Sequence, residues 1–220
     1  VMIRNTGLLD LNGFYDYMGP ISFDGAGRVA TGDGTLDLVQ PVRTWSSDAT
    51  NGVPYIEGNL NLRSSSTFYV TNDLFITAKV SGVYDLIKAG NDSLFLRASN
   101  SYTGLTIIRE GALWAEWYST ALGTADGGTI VSNGATLLLR GPIAVTNEAL
   151  TLNGHGYYAG ALHTITSGAT DIWTGPVTLN ETSVIYVQNS SGTLQLLGSI
   201  SGTGGLDFDG QGKLVLAGNT

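Results

Sequence analysis

The chain has no cysteine, and charged residues make up only 13% of its 220 positions, about half the usual share. Without cysteine there are no disulfide staples of the kind small secreted scaffolds depend on, so the core must come from repetition. Positive charge is scarcer still: 10 Lys and Arg face 18 Asp and Glu, a net charge of −8 with a pI near 4.5. An acidic surface repels phosphate, so no nucleic-acid partner is expected, and the case for binding anionic membrane is weakened. No run approaches the roughly 18 apolar residues of a membrane helix, and no membrane insertion by this segment is expected. The opening "VMIRNTGLLDLNG" lacks the basic start and apolar run of a signal peptide. Helical periodicity is nearly absent as well. Its nearest instance, "TIIREGALWAEWYSTALG" (106–123), is broken by Gly111.

What the chain has in excess is glycine, 31 of 220 and about double the norm. It also has 42% hydrophobic residues and a mean hydropathy of +0.12, too apolar for a disordered tail. The apolar residues fall in period-two beats of four to six, cut by Gly, Asn or Asp. Examples are "TLDLVQ" (35–40), "NLNLRS" (59–64), "LFITAKV" (74–80), "SLFLRAS" (93–99), "TSVIYVQN" (182–189) and "KLVLAG" (213–218). The beats return about every ten residues, and larger segments echo one another. "SLFLRASN" (93–100) aligns with "KLVLAGN" (213–219), each after a Ser-Gly turn at 81–82 or 201–202, and "LDLNGF" (9–14) aligns with "LTLNGH" (150–155). "RTWSSDATNGVPYIEG" (43–58) reads as an insertion.

A sandwich of hairpins and a coiled solenoid both accommodate such beats. Self-similarity along the whole length favours the solenoid, in which one unit cannot bury its own apolar face and must stack on the next. Glycine then supplies the positive φ that corners demand, with Asn and Asp tolerating it. At roughly 20–25 residues per rung the chain makes about nine to eleven rungs, a rod ~45–50 Å long. The expected organisation is a single β-solenoid segment over residues 1–220, with large repeat units at 9–104 and 105–220. The pattern is cut at both ends, which predicts a fragment of a longer repeat protein.

The stretch 160–220 carries "WTGPVTL" (173–179), "SGTLQLLGSISGTGGL" (191–206) and "GQGKLVLAGNT" (210–220). It resembles the autotransporter-associated β-strand repeat of bacterial passenger domains. "NSYTGLTIIREGAL" (100–113) and "ALGTADGGTIVSNGATLLLRG" (121–141) fit the same pattern, while the first seventy residues match loosely. The resemblance implies an all-β, right-handed parallel β-helix at a bacterial cell surface or in the extracellular space. Its expected role is that of an adhesin, a biofilm component or a structural stalk, not an enzyme. Absent cysteine fits such proteins. Two departures stand out: Asp207 and Asp209 occupy positions where the family often has Lys or Thr, and "LWAEWYSTALG" (113–123) is unusually aromatic.

Those aromatics are the candidate site. Trp114, Trp117 and Tyr118 cluster in the chain, as do Tyr157 and Tyr158. Exposed rings stack on sugars or anchor protein partners, and buried ones fill a bulging core. In a continuous strand, Trp114 and Tyr118 would share one face and Trp117 the other. The partners in view are glycans, a host or neighbouring-cell surface, and further copies of the chain. No cofactor or metal is expected. Asp207 and Asp209 in "LDFDGQG" echo the start of a calcium loop, but no bidentate Glu follows in reach, and outward Asp on either side of an inward Phe208 explains them as well. His155 and His163 lack the surrounding ligands of a metal site. The enzymatic alternative, a polysaccharide-cleaving β-helix, would need convergent carboxylates; Asp73, Asp85, Asp92, Asp171 and Glu181 are available without an evident common face. A self-associating fibre or sheath module is the other alternative, because open solenoid ends expose unpaired backbone.

Overall fold

A computed structural model describes residues 1–45 and 52–218. Among them every regular element is a strand, and every strand pairing is parallel. The chain winds as a three-sided coil, with each turn adding one strand to each of two sides and, in the first and last turns, one to the third. Two sides are continuous sheets of ten strands. The first runs from Met2–Arg4 to Ile200–Gly202 and the second from Leu8–Asp10 to Leu206–Gly210. The third side is two four-stranded sheets. One spans Asp16–Met18 to Lys79–Gly82, the other Ala144–Val145 to Lys213–Leu216. The expected parallel β-helix is therefore present, with ten strands per long side and about nine full turns.

Register gives the length of a turn. Met2 lies beside Ser22 and Ser66 beside Leu86, an offset of 20 residues. Val42 beside Phe68 gives 26, and Ala144 beside Ile172 gives 28. The 28-residue turn carries extra residues in the corner loop between Leu150–Leu152 and Leu162–Thr164. Of the insertion expected at 43–58, residues 46–51 lie outside the described residues, as do 219–220 at the end of the last repeat motif.

Period two turns one residue of each beat inward, and parallel stacking in register makes columns of like residues. Leu74, Leu94, Leu113, Leu137, Leu162 and Ile185 form one such column, each fully buried. Burial of a Leu or Ile side chain is worth about 1.5–3 kcal/mol, and the column repeats it turn after turn. Where the third side lacks strands, residues 97–105 and 117–128 still stack through backbone bonds. Ser101 N–H donates to Val80 O at 2.8 Å and Thr124 N–H to Tyr102 O at 2.9 Å. Tyr102 fills the interior there, fully buried, with its hydroxyl 2.6 Å from Thr106 Oγ1.

The Ser-Gly echo has a common geometry. Gly82 and Gly202 have φ of +114° and +115°, and a β-carbon on either would sit 2.3 Å from Leu62 O or 2.1 Å from Leu179 O in the turn below. The two lie on different sides, however: Gly82 ends a strand of the third side and Gly202 one of the first. "SLFLRASN" and "KLVLAGN" are displaced in the same way, onto the second and third sides, and "LDLNGF" and "LTLNGH" onto the second and first. What repeats in the sequence is one strand with its corner, a unit indifferent to which side it builds.

Candidate functional site

The second sheet presents an unusual outer face. Its register aligns Arg28, Tyr55, Phe75, Phe95, Trp114, Leu138, His163 and Tyr186 in one outward column. The rings stand at strand spacing and touch. Tyr55–Phe75 centroids are 5.0 Å apart, Phe75–Phe95 4.5 Å and Phe95–Trp114 5.0 Å. His163 meets Tyr186 edge-on at 4.9 Å. Offset aromatic pairs of this kind contribute about 0.5–1.5 kcal/mol each beyond their area.

The next outward column is charged. Glu116 accepts from Arg97 Nε in the turn before and from Arg140 Nη1 in the turn after, the latter at 3.1 Å. Its carboxylate is completely covered, while Arg97 and Arg140 keep 22% and 45% of their side chains exposed. Arg97 also lies 3.8 Å from the Phe75 ring centroid. Two guanidiniums on one carboxylate leave a local positive excess in a chain whose net charge is −8.

The strand ends at Glu116, so the alternation expected to continue through Tyr118 does not hold. Trp117 instead takes a left-handed φ of +64°, uncommon for a bulky residue. That turn lifts its indole outward, 51% exposed, with Arg97 and Arg140 at 5.3 Å and 5.6 Å from its ring. Tyr118 follows, 45% exposed.

Tyr157 and Tyr158 come from the corner loop of the turn that follows. Buried Thr136 holds that loop: its Oγ1 accepts from the N–H of Tyr157 (3.0 Å) and of Tyr158 (3.2 Å) and donates to Gly160 O (2.8 Å). The two rings meet edge-on at 4.7 Å. Tyr158 reaches along the axis until its hydroxyl lies 3.5 Å from Ser93 Oγ. With Trp114, Leu138, His163, Ile165 and Gln188 it walls a recess of about 230 Å³. A second recess, about 380 Å³, lies beside Tyr55 among Arg28, Glu57 and Thr77.

Two polar atoms of the smaller recess's walls are unsatisfied. Trp114 Nε1 and His163 Nδ1 are closed to solvent and have no hydrogen-bond partner among the described residues. His163 Nε2 lies 3.1 Å from Gln188 Oε1, and burial pushes the imidazole below its ordinary pKa, toward the neutral form.

Of the five aromatics singled out from sequence, Trp114 and Tyr158 thus line one recess, Trp117 stands beside Arg140, Tyr157 braces Tyr158, and Tyr118 is exposed outside the recess. Tyr55, Phe75, Phe95, His163 and the Arg97–Glu116–Arg140 cluster were not foreseen. The available signal was spacing: aromatics at 55, 75, 95 and 114 recur at one turn's length.

Three of the carboxylates considered for catalysis, Asp73, Asp85 and Glu181, hydrogen-bond to residues of corners and strand starts. Asp73 accepts from Ser93 N–H, Asp85 from Leu105 N–H and Ser65, and Glu181 from Asn133. Asp171 is buried and accepts from Ile143 N–H and Thr164. Burial raises the pKa of Asp73 and of Asp171. Asp207 and Asp209 lie beside Val184 and Tyr186, on either side of Phe208 in the Ile185 column. Among the described residues no three His, Cys, Asp or Glu gather into a metal-sized group.

No protein-family model and no solved structure matches the chain. It is 29% identical over 180 residues to a protein named "Adhesin BmaC autotransporter" from Brucella suis biovar 1 (strain 1330). The chain is similar to an autotransporter adhesin. The alignment covers 76% of this chain and 5% of that protein, so the chain spans a small part of the relative it matches. Passenger-repeat motifs, a parallel β-helix and a relative with this name agree with one another.

Proposed function

We propose that this chain is an adhesive, non-enzymatic stretch of a surface-exposed or secreted bacterial β-helix, which holds ligand-contacting side chains on a stiff stack of turns. The observation that carries the reading is the outer face of the second sheet, where aromatic rings and arginines are aligned turn upon turn. It is supported by similarity to a protein named as an adhesin. Function in this reading is presentation: parallel strands fix the spacing of the rings, and binding spreads over several turns. Glycans on a host or neighbouring cell are the partners that such rings fit, since pyranose faces stack on aromatic ones.

The test is adhesion with a chemical readout. The purified chain should bind immobilised glycans or cells saturably and leave the glycan's length unchanged. Shortening of a soluble polysaccharide by the chain would overturn the reading in favour of a β-helix lyase or hydrolase. Sedimentation that rises with concentration, without glycan binding, would favour a self-associating fibre module.

A further inference from the structure

We propose that the second sheet's outer face holds one acidic sugar residue, with its ring in the recess between Trp114 and Tyr158 and its anionic group on Arg140 and Arg97. The proposal rests on the adhesive reading above and names the ligand class.

The recess is the first argument. At about 230 Å³ it falls below the roughly 300–1,000 Å³ of pockets for drug-sized ligands, a size suited to a single sugar unit. Its walls combine Trp114, Tyr158 and Leu138 with the polar ends of His163 and Gln188, the mixture of apolar faces and a few polar groups that a pyranose requires.

The unsatisfied atoms are the second. A buried indole N–H nearly always finds an acceptor, yet Trp114 Nε1 has none, and neither has His163 Nδ1. A sugar hydroxyl both donates and accepts, so adjacent hydroxyls satisfy the indole donor and either tautomer of the imidazole. Both atoms are closed to solvent, so a sugar reaches them only when a wall of the recess moves, and Tyr158, a loop residue, is the wall placed to do so. Its backbone is fixed by Thr136 and its ring packs edge-on against Tyr157, but the ring is half exposed and its hydroxyl has only the 3.5 Å contact with Ser93.

Charge is the third. Arg140 follows Leu139, whose carbonyl accepts from Ile165 N–H at 3.2 Å, and Ile165 walls the recess. Only Nη1 of Arg140 is engaged, by Glu116, among the described residues. Its remaining N–H groups suit a carboxylate or sulfate, and Arg97, which shares Glu116 from the turn before, adds a second positive charge to the same column. Glu116 neutralises one guanidinium of the two. Trp117, held against both arginines in a left-handed backbone conformation, offers a second ring face at the rim.

The test titrates the whole chain with three oligosaccharides of equal length: an oligogalacturonate, a sulfated galactan fragment and a neutral galactan fragment. The acidic pair should bind at least about tenfold more tightly than the neutral one, and the stronger of the two identifies the anion. Arg140→Gln should weaken acidic binding about 10- to 100-fold, as loss of a charge-assisted bond does, and Trp114→Phe, which keeps a ring but removes the donor, about 2- to 10-fold. The indole N–H resonance of Trp114, assigned by its loss in that variant, should shift on titration of the unmodified chain. Tyr69→Ala, on the first sheet's outer face, should change nothing. Equal binding of the neutral sugar, or a Trp114 resonance that stays put while acidic glycan binds, overturns the site and leaves the adhesive reading standing. Absence of binding to any glycan and to cells overturns both.

Discussion

At Glu148 a carboxyl group lies inside the stack, 3% exposed, with Thr129 as its hydrogen-bond donor. Burial raises its pKa from 4.5 to about 7. A raised acid binds its proton more tightly when folded, so the folded state holds the extra proton between about pH 4.5 and 7, and stability falls as pH rises through that window. Glu148→Gln should remove that slope and stabilise the chain at pH 8 by about 3 kcal/mol, measured as the difference between variant and parent in urea unfolding across pH. Lys88 works in the opposite sense. It stands fully buried between Phe68 and Ile108 in an inward column, its ammonium donating to the carbonyls of Ala89, Gly90 and Glu110. Burial lowers its pKa to about 8. The unfolded chain therefore binds more protons from about pH 8 to 10.5, and Lys88's contribution to stability rises with pH there. Lys88→Met should abolish that rise in the same measurement.

A strand with its corner is the unit that the sequence repeats, and its glycines are not equivalent. Gly82 has φ +114° and no room for a β-carbon, whereas Gly134, at +76°, has nothing within 4 Å. Gly82→Ala should cost more than the roughly 1–3 kcal/mol of backbone strain alone, because the Leu62 carbonyl must also move. Gly134→Ala should cost only the strain, and thermal unfolding of the two variants compares them directly. The corner loop over the second sheet shows what the unit hides. "GHGYYAGA" reads locally as a glycine-rich turn, and nothing local reveals that Thr136 anchors it or that Tyr158 lies against Ser93, 65 residues earlier. Strand and corner were legible because period two and positive φ are properties of neighbouring residues. The recess was not, because its walls come from four separate segments.

For the whole molecule, stacking makes stability nearly one-dimensional, since each turn touches chiefly its two neighbours. Leu137→Ala in the middle of the inward column should cost about 2–5 kcal/mol. Hydrogen exchange should quicken in the strands Gly111–Glu116, Ala135–Arg140 and Leu162–Thr164 before it does in turns farther away. The amino-acid order by itself determined the class of fold. Alternating apolar beats cut by glycine suit a sandwich or a solenoid, and their self-similarity along the whole length tips the balance to coiling and stacking. The exact turn length, from 19 to 28 residues, was decided in three dimensions, and with it which outward residues meet. A ring at 55 knows nothing of one at 114; only when corners set the register do Tyr55, Phe75, Phe95 and Trp114 fall into one column. Periodicity is carried by the covalent neighbourhood, but the aromatic face depends on distances that exist only after the chain has come round.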